Sequence, residues 1–168
     1  MKHLIILGAL TALFIPGSAK GTSESLSTAD VMAMAALLPP EGKTTPGGYE
    51  KANDARAIAE GIAAAAPSRE RAALMLTFAA YESGLQISAR GDGGASRGPF
   101  QLKYVPDEVA YSPERAARYW LYLAAESERH CATNPPDEKL ASLASGSCQR
   151  ARAKVRKRVE TARRIAGL

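Results

Sequence analysis

One nearly unbroken apolar run constrains the fold of this chain more than any other feature. Residues 72–81 read Ala-Ala-Leu-Met-Leu-Thr-Phe-Ala-Ala-Tyr, and Glu82-Ser83-Gly84 follows them. Ser68 is a good N-cap and Gly84 is placed to terminate a helix, so the sequence predicts a helix over Arg69–Ser83. Because this helix is apolar on almost every side, we expect it to be the central buried helix. A carboxyl group therefore stands at the end of a buried helix.

Several further helices are predicted around the central one. Ser27 and Asp30 form a capping pair for a short helix through Leu38, and an apolar stripe predicts a second helix over Ala52–Ala65. Ser112-Pro113-Glu114 is a helix start, from which a helix is expected to run to His130. A shorter helix is predicted over Glu138–Ala144. The glycines and proline between Gln86 and Gln101 indicate irregular strands and turns. The fold class expected is mainly α, with a small irregular or β segment, in one domain.

The amino terminus is typical of a secretory signal. Lys2 and His3 precede an apolar core over Leu4–Ile15, and small residues up to Ala19 form a plausible cleavage site. The alternative is a buried N-terminal helix. We therefore divide the chain into a signal peptide at residues 1–19, a linker with a short helix at 20–48, and the domain at 49–168. No other apolar run approaches membrane-spanning length.

The two cysteines, Cys131 and Cys148, fit an exported protein. In an oxidising compartment they are expected to form a disulfide, which would stabilise the fold by about 3 kcal/mol in the loop-entropy model. Two buried free thiols are the alternative. The cysteines and histidines show no metal-ligand spacing, so we expect no metal and no other cofactor.

Positive charge is concentrated at the carboxyl terminus. Residues 149–168 carry eight basic side chains and one acidic, a net charge of +7 in a chain whose total is +5. Apolar residues recur there at helical spacing, so the basic groups are expected to form the outer face of an amphipathic helix. That face is either a solvated surface or a site for an anionic polymer or membrane surface. No aromatic residues interleave with the charges, so no specific nucleic-acid partner is expected.

Glu82 is the leading catalytic candidate. Apolar surroundings disfavour the charged form of a carboxyl group, and a neutral acid can protonate a leaving oxygen, most plausibly that of a glycosidic bond. In the glycine-rich segment, Gln101 offers an amide for sugar hydroxyl or acetamido groups, and Phe100 offers a flat apolar wall. Stacking surfaces are offered by Tyr81, Tyr104, Tyr119 and Trp120. Asp92 is the candidate second carboxylate, or else a turn residue.

The stretch from Ala72 to Leu102 resembles the core signature of the soluble lytic transglycosylases, a family of the lysozyme-like superfamily. The residues that carry the resemblance are Glu82-Ser83-Gly84 at the end of an apolar helix, a glycine-containing loop with Ser96, and then Gly98-Pro99-Phe100-Gln101. The resemblance implies an α+β lysozyme-like fold in which the irregular segment forms one wall of a glycan groove. It also implies cleavage of the β-1,4 bond between N-acetylmuramic acid and N-acetylglucosamine in peptidoglycan.

The resemblance also implies roles for individual residues. Glu82 would protonate the leaving oxygen and then deprotonate the muramoyl 6-hydroxyl, which yields a 1,6-anhydro product. Ser83 would support it, while Ser96, Phe100, Gln101 and Tyr104 would bind substrate. The partner would be peptidoglycan glycan strands, and the protein would be periplasmic or extracellular, from a bacterium or a phage. We expect a monomer.

One departure from the family pattern lies downstream. The family often carries Ala-Tyr-Asn-Ala-Gly, whose tyrosine hydrogen-bonds the catalytic carboxyl, whereas residues 140–147 read Leu-Ala-Ser-Leu-Ala-Ser-Gly-Ser. Ser145 or Ser147 is the candidate replacement for that hydroxyl. Three alternatives follow: lysozyme-type hydrolysis assisted by Asp92, a non-catalytic peptidoglycan-binding module that kept the fold, and an adaptor whose basic helix meets an acidic surface.

Overall fold

The structure is a computed structural model that describes residues 25–39 and 48–168. Within these residues it is mainly helical. The helices are α1 (Thr28–Ala35), α2 (Gly48–Ala65), α3 (Arg69–Ser83), α4 (Asp107–Ala110), α5 (Pro113–His130), α6 (Ala141–Ser145) and α7 (Arg152–Ala166). A small antiparallel sheet is formed by β1 (Arg90–Gly91), β2 (Ser96–Arg97) and β3 (Leu102–Lys103), in that order. The expectation of a mainly α fold with a small β segment is confirmed.

The central helix α3 has the predicted bounds and the predicted caps. The Ser68 hydroxyl accepts a hydrogen bond from the Arg71 backbone N–H at 3.2 Å. Gly84 ends the helix in the left-handed conformation with φ 63°. Seven of its residues are buried: Ala72, Ala73, Met75, Leu76, Thr77, Phe78 and Ala79. The helix is thus enclosed along most of its length, as the all-round apolar pattern predicts, and it packs most extensively against α7.

The first described helix belongs to the core, which corrects the linker interpretation of residues 20–48. Ser27 and Asp30 form the predicted capping box. Val31 and Met34 are fully buried in the same core as α3, so the helical packing begins ahead of the expected boundary at residue 49. The helix ends at Ala35, short of Leu38. The predicted signal peptide, residues 1–19, lies outside the described residues, and no helix in the described ranges is long and apolar enough to cross a membrane.

The segment between α5 and α7 differs from the predicted helix over Glu138–Ala144. A 3₁₀ turn occupies Pro136–Glu138, and α6 begins only at Ala141. The reason is tertiary: the Glu138 side chain is buried and forms ion pairs with Arg152 and Arg156 of α7. That pairing fixes Glu138 against α7, and the helix restarts three residues later.

A disulfide joins Cys131, at the end of α5, to Cys148, ahead of α7. The predicted pairing is confirmed, and the alternative of two free thiols is wrong. The Asn134 side-chain amide also donates a hydrogen bond to the Cys148 carbonyl at 2.8 Å. The loop that carries α6 is therefore closed at its base by a covalent bond and a hydrogen bond.

Candidate functional site

A groove of about 590 Å³ opens at the carboxyl end of α3. The sheet and the residue after it form one wall, α5 and the α6 region form the other, and α7 contributes one lysine. The lining residues are Phe78, Glu82, Asp92, Ser96, Phe100, Gln101, Leu102, Lys103, Tyr104, Tyr119, Trp120, Leu123, Ser142, Leu143, Ala144, Gly146 and Lys154. The residues singled out from the sequence that meet at this groove are Glu82, Asp92, Ser96, Phe100, Gln101, Tyr104, Tyr119 and Trp120.

Glu82 lies in the last turn of α3, with its side chain 25% exposed. Its surroundings are not purely apolar, which corrects the expectation from the sequence. Arg158 Nη1 lies 2.6 Å from Glu82 Oε1, and Lys154 Nζ lies 3.8 Å from the same oxygen. Glu82 is therefore a groove-facing carboxyl group with two cations from α7 beside it, the buried Arg158 and the groove-lining Lys154.

Arg158 is the residue of this site that the sequence reasoning missed. Its side chain is 0% exposed, and its guanidinium lies 4.7 Å from the ring centre of Phe78 and 5.5 Å from that of Tyr81. The prediction that the basic groups of this helix form its outer face is wrong for Arg158. A signal was present: residue 158 falls on the same helical stripe as the buried Val155, Ala162 and Ile165.

The other basic side chains of α7 differ from Arg158 in their surroundings. Arg152 and Arg156 pair with Glu138. Exposed positions are Lys154, Arg156, Lys157, Arg163 and Arg164. Attraction of an anionic polymer or membrane surface to this face stays a prediction.

Asp92 lines the groove and also forms part of a turn. Its Oδ2 lies 2.7 Å from Lys103 Nζ and accepts a hydrogen bond from the Ser96 hydroxyl at 2.8 Å. The hydrogen bond from Lys103, followed by the one from Ser96, lowers the pKa of Asp92 below its usual value. The carboxylate is thus held charged, and the buried Ser96 uses its hydroxyl to support the turn. Neither group is free to act as the sequence reasoning expected without breaking this arrangement.

The loop that carries Gln101 into the groove contains two glycines, Gly91 and Gly98, whose backbones lie close to other atoms. The Gln101 backbone is left-handed, with φ 50°, and its Nε2 donates a hydrogen bond to the Gly98 carbonyl at 3.0 Å. A Cβ on Gly98 would lie 1.8 Å from the Ala110 carbonyl oxygen, and one on Gly91 would lie 2.3 Å from Gln101 Oε1. Glycine is therefore a steric requirement at position 98, where the contact is with backbone, whereas the contact at position 91 is with the movable end of the Gln101 side chain.

The aromatic residues of the groove divide into buried and exposed rings. Phe100 and Trp120 are buried, with ring centres 5.9 Å apart, and Trp120 also packs edge-on against Phe78 at 5.2 Å. Phe100 therefore contributes to the core beneath the groove, and Trp120 is not the open stacking surface that was expected. Tyr104 is 95% exposed at the rim, where its ring can meet a ligand.

The hydroxyl groups of Ser83, Ser145 and Ser147 form hydrogen bonds with backbone groups a few residues away. Ser83 donates to the Ala79 carbonyl at 2.9 Å and accepts from the Gln86 N–H at 3.2 Å, so it closes the end of α3 and does not line the groove. Ser145 donates to the Ala141 carbonyl, and Ser147 accepts from the Gln149 N–H. In these contacts neither hydroxyl takes the place of the family tyrosine at Glu82.

The α6 wall is attached to α5 through Ser127, which is buried. The Ser127 hydroxyl donates to the Lys139 carbonyl at 2.9 Å and accepts from the Ser142 hydroxyl and the Leu143 N–H. This network fixes the wall opposite the sheet.

Comparisons with protein-family models, with curated proteins and with solved structures found no match.

Proposed function

We propose that this protein is a peptidoglycan lytic transglycosylase with a lysozyme-like fold, in which Glu82 is the general acid and base. The observation that carries the proposal is the position of the Glu82 carboxyl group. It stands at the end of the central helix and faces a groove of about 590 Å³, a volume in the range that small-ligand sites occupy. Gln101 of the signature lines the same groove, as does Tyr104, a predicted stacking surface.

The proposed reaction needs one carboxyl group and no water. Glu82 in its acid form donates a proton to the bridging oxygen as the bond from that oxygen to C1 of the muramoyl residue breaks. The resulting carboxylate then accepts the proton of the C6 hydroxyl as O6 bonds to C1. Glu82 regains its proton, and the product ends in a 1,6-anhydro ring. Proximity of the attacking hydroxyl replaces a second reactant.

The state of Asp92 favours this reaction over hydrolysis. Inverting hydrolysis uses a second carboxylate as general base to activate water, and retaining hydrolysis uses it as a nucleophile. Asp92 is the nearest groove-lining carboxylate in sequence, but it is bound to Lys103 and Ser96 and has a lowered pKa. A carboxylate of low pKa is a weak base, so assistance from Asp92 as a general base is disfavoured.

Substrate binding is assigned to the wall that carries Gln101 and Tyr104. One Nε2 hydrogen of Gln101 goes to the Gly98 carbonyl, and an amide nitrogen carries two. The second hydrogen suits a sugar oxygen, and the exposed ring of Tyr104 suits the apolar face of a sugar. Because peptidoglycan lies outside the cytoplasm, the proposal includes export, with residues 1–19 as the signal.

A second candidate is a non-catalytic peptidoglycan-binding module. The observation that favours it is the 2.6 Å contact between Arg158 and Glu82, since an ion pair of this kind can hold a carboxylate in a purely structural role. The two candidates predict the same binding surface and differ in whether any bond is cleaved.

Mass spectrometry of digested cell-wall sacculi tests both candidates. The wild-type protein is expected to release muropeptides with 1,6-anhydro ends. Glu82→Gln keeps the side-chain shape and removes the proton donor, so release should fall at least about 100-fold, the contribution typical of general acid–base catalysis. Glu60→Gln, at an exposed position of α2, is the matched control and should release as much as wild type.

The remaining outcomes are distinct. Products with reducing ends would indicate hydrolysis, and binding to sacculi without any product would indicate the non-catalytic module. Release by Glu82→Gln equal to that of wild type would remove Glu82 from the mechanism.

A further inference from the structure

Arg158 combines complete burial with a direct approach to the proposed catalytic group. Its side chain is 0% exposed, and Nη1 lies 2.6 Å from Glu82 Oε1. Nε, Nη1 and Nη2 are all buried without a hydrogen-bond partner, so the contact with Glu82 is an ion pair outside hydrogen-bond alignment. Burial of a guanidinium is costly unless a counter-charge compensates it.

Stability alone does not account for a charge at this position. Residue 158 lies on the buried stripe of α7 with Val155, Ala162 and Ile165, where an apolar side chain would complete the stripe. Replacement of a buried ion pair by apolar residues is often neutral or stabilising. The arginine is therefore better explained by what it does at Glu82 than by its contribution to the core.

The surroundings of the guanidinium hold it in one place. Phe78 and Tyr81, both of α3, lie under it at 4.7 Å and 5.5 Å, within the range of cation–π contact. Both rings come from the helix that carries Glu82. The guanidinium is thus fixed relative to the Glu82 backbone, and it approaches the carboxyl group from the α7 side. Lys154, which is half-exposed and lines the groove, is the second and more distant cation at 3.8 Å.

We propose that Arg158 is a positioning residue for Glu82. Through its contact at 2.6 Å it holds the Glu82 carboxyl group in the orientation in which that group faces the groove. In this role it takes the place of the family's tyrosine, which residues 140–147 lack. The inference rests on the proposed function and adds the group by which Glu82 is oriented.

Steady-state kinetics on a soluble, peptide-free oligomer of alternating N-acetylglucosamine and N-acetylmuramic acid tests this role. Arg158→Met keeps most of the side-chain volume and removes the charge. Because the guanidinium acts on Glu82 and not on bound sugar, we expect kcat to fall at least about tenfold with KM within about twofold of wild type. Arg158→Lys keeps the charge and should retain more kcat than Arg158→Met. Arg56→Met, at an exposed position of α2, is the matched control.

Thermal unfolding of every variant separates folding from positioning. A folded Arg158→Met with wild-type kcat would overturn the inference while leaving the cleavage function intact. A loss confined to KM, or an Arg158→Lys no better than Arg158→Met when both are folded, would also overturn it. If Arg158→Met fails to fold, the test rests on a folded Arg158→Lys. Unchanged kcat and KM in Arg158→Lys would support a requirement for positive charge at this position. A raised KM with unchanged kcat would oppose the positioning role. A wild-type protein that cleaves nothing would overturn the proposed function together with this role.

Discussion

Removal of the Cys131–Cys148 disulfide should destabilise the protein by an amount that follows from the loop it closes. The bridge spans a sequence separation of 17 residues. In the loop-entropy model this length corresponds to about 3 kcal/mol at 25 °C. For a domain of this size, that free energy corresponds to a decrease in Tm of about 6–12 °C. Cys131→Ala with Cys148→Ala, and wild type unfolded in reductant, should give similar losses.

Removal of the disulfide should also increase the mobility of one wall of the groove. The closed loop carries α6, whose residues form the wall opposite the sheet. With the bridge removed, the wall keeps its Ser127 hydrogen bonds and the ion pairs of Glu138, so we expect loosening and not unfolding of the whole domain. Amide hydrogen exchange should show faster exchange at Leu143 and Ala144 than in wild type.

Chemical denaturation monitored by circular dichroism measures the free energy of unfolding in each case. A midpoint unchanged on removal of the bridge, with the bond shown by mass spectrometry to be intact in wild type, would refute the reasoning. A loss seen in the double variant but absent from reduced wild type would assign the effect to the replaced side chains and not to the bridge.

Two further predictions concern the glycine-rich loop. Gly98→Ala places a Cβ 1.8 Å from the Ala110 carbonyl oxygen, in a backbone with φ +75°. A left-handed backbone costs a residue with a Cβ about 1–2 kcal/mol before any clash, so the free energy of unfolding should fall by at least about 2 kcal/mol. A denaturation midpoint equal to that of wild type would contradict the close approach. Lys103→Met removes the main group that lowers the pKa of Asp92, so carboxyl NMR should find Asp92 titrating at higher pH than in wild type. A carboxyl group whose pKa is lowered in the folded state stabilises the protein at pH values above its ordinary pKa of 3.8. That contribution is lost as pH falls through the folded-state pKa. The Lys103→Met variant should therefore be less stable than wild type near neutral pH, and the difference should shrink in acid. An unchanged titration of Asp92 would exclude the Lys103 contact.

Local signals predicted much of the fold and the outline of the candidate site. The bounds of α3 follow from Ser68, Gly84 and an apolar run, because caps and helix termination depend on a few adjacent residues. The disulfide was predictable because the chain has only two cysteines. The convergence of Glu82 and Gln101 on one groove was expected from a local motif.

The remaining features depend on contacts between residues distant in sequence. Glu138 pairs with α7, and this pairing displaces the start of α6. Val31 and Met34 are buried by helices that come later in the chain. Phe100 and Trp120 are buried and pack against each other. In each case the local sequence pattern is compatible with more than one environment for the side chain, and it does not predict which one the fold provides.

The amino-acid sequence was sufficient to fix the bounds of α3, the disulfide pairing, and the position of a carboxyl group at the end of a buried helix, because these depend on neighbouring residues and on cysteine number. The tertiary structure alone decided what faces that carboxyl group. Arg158 is 76 positions away from Glu82 in the numbering of the chain, and only the packing of α7 on α3 brings its charge to 2.6 Å. Helical periodicity places a residue on a face, but the partner of that face is selected by the fold.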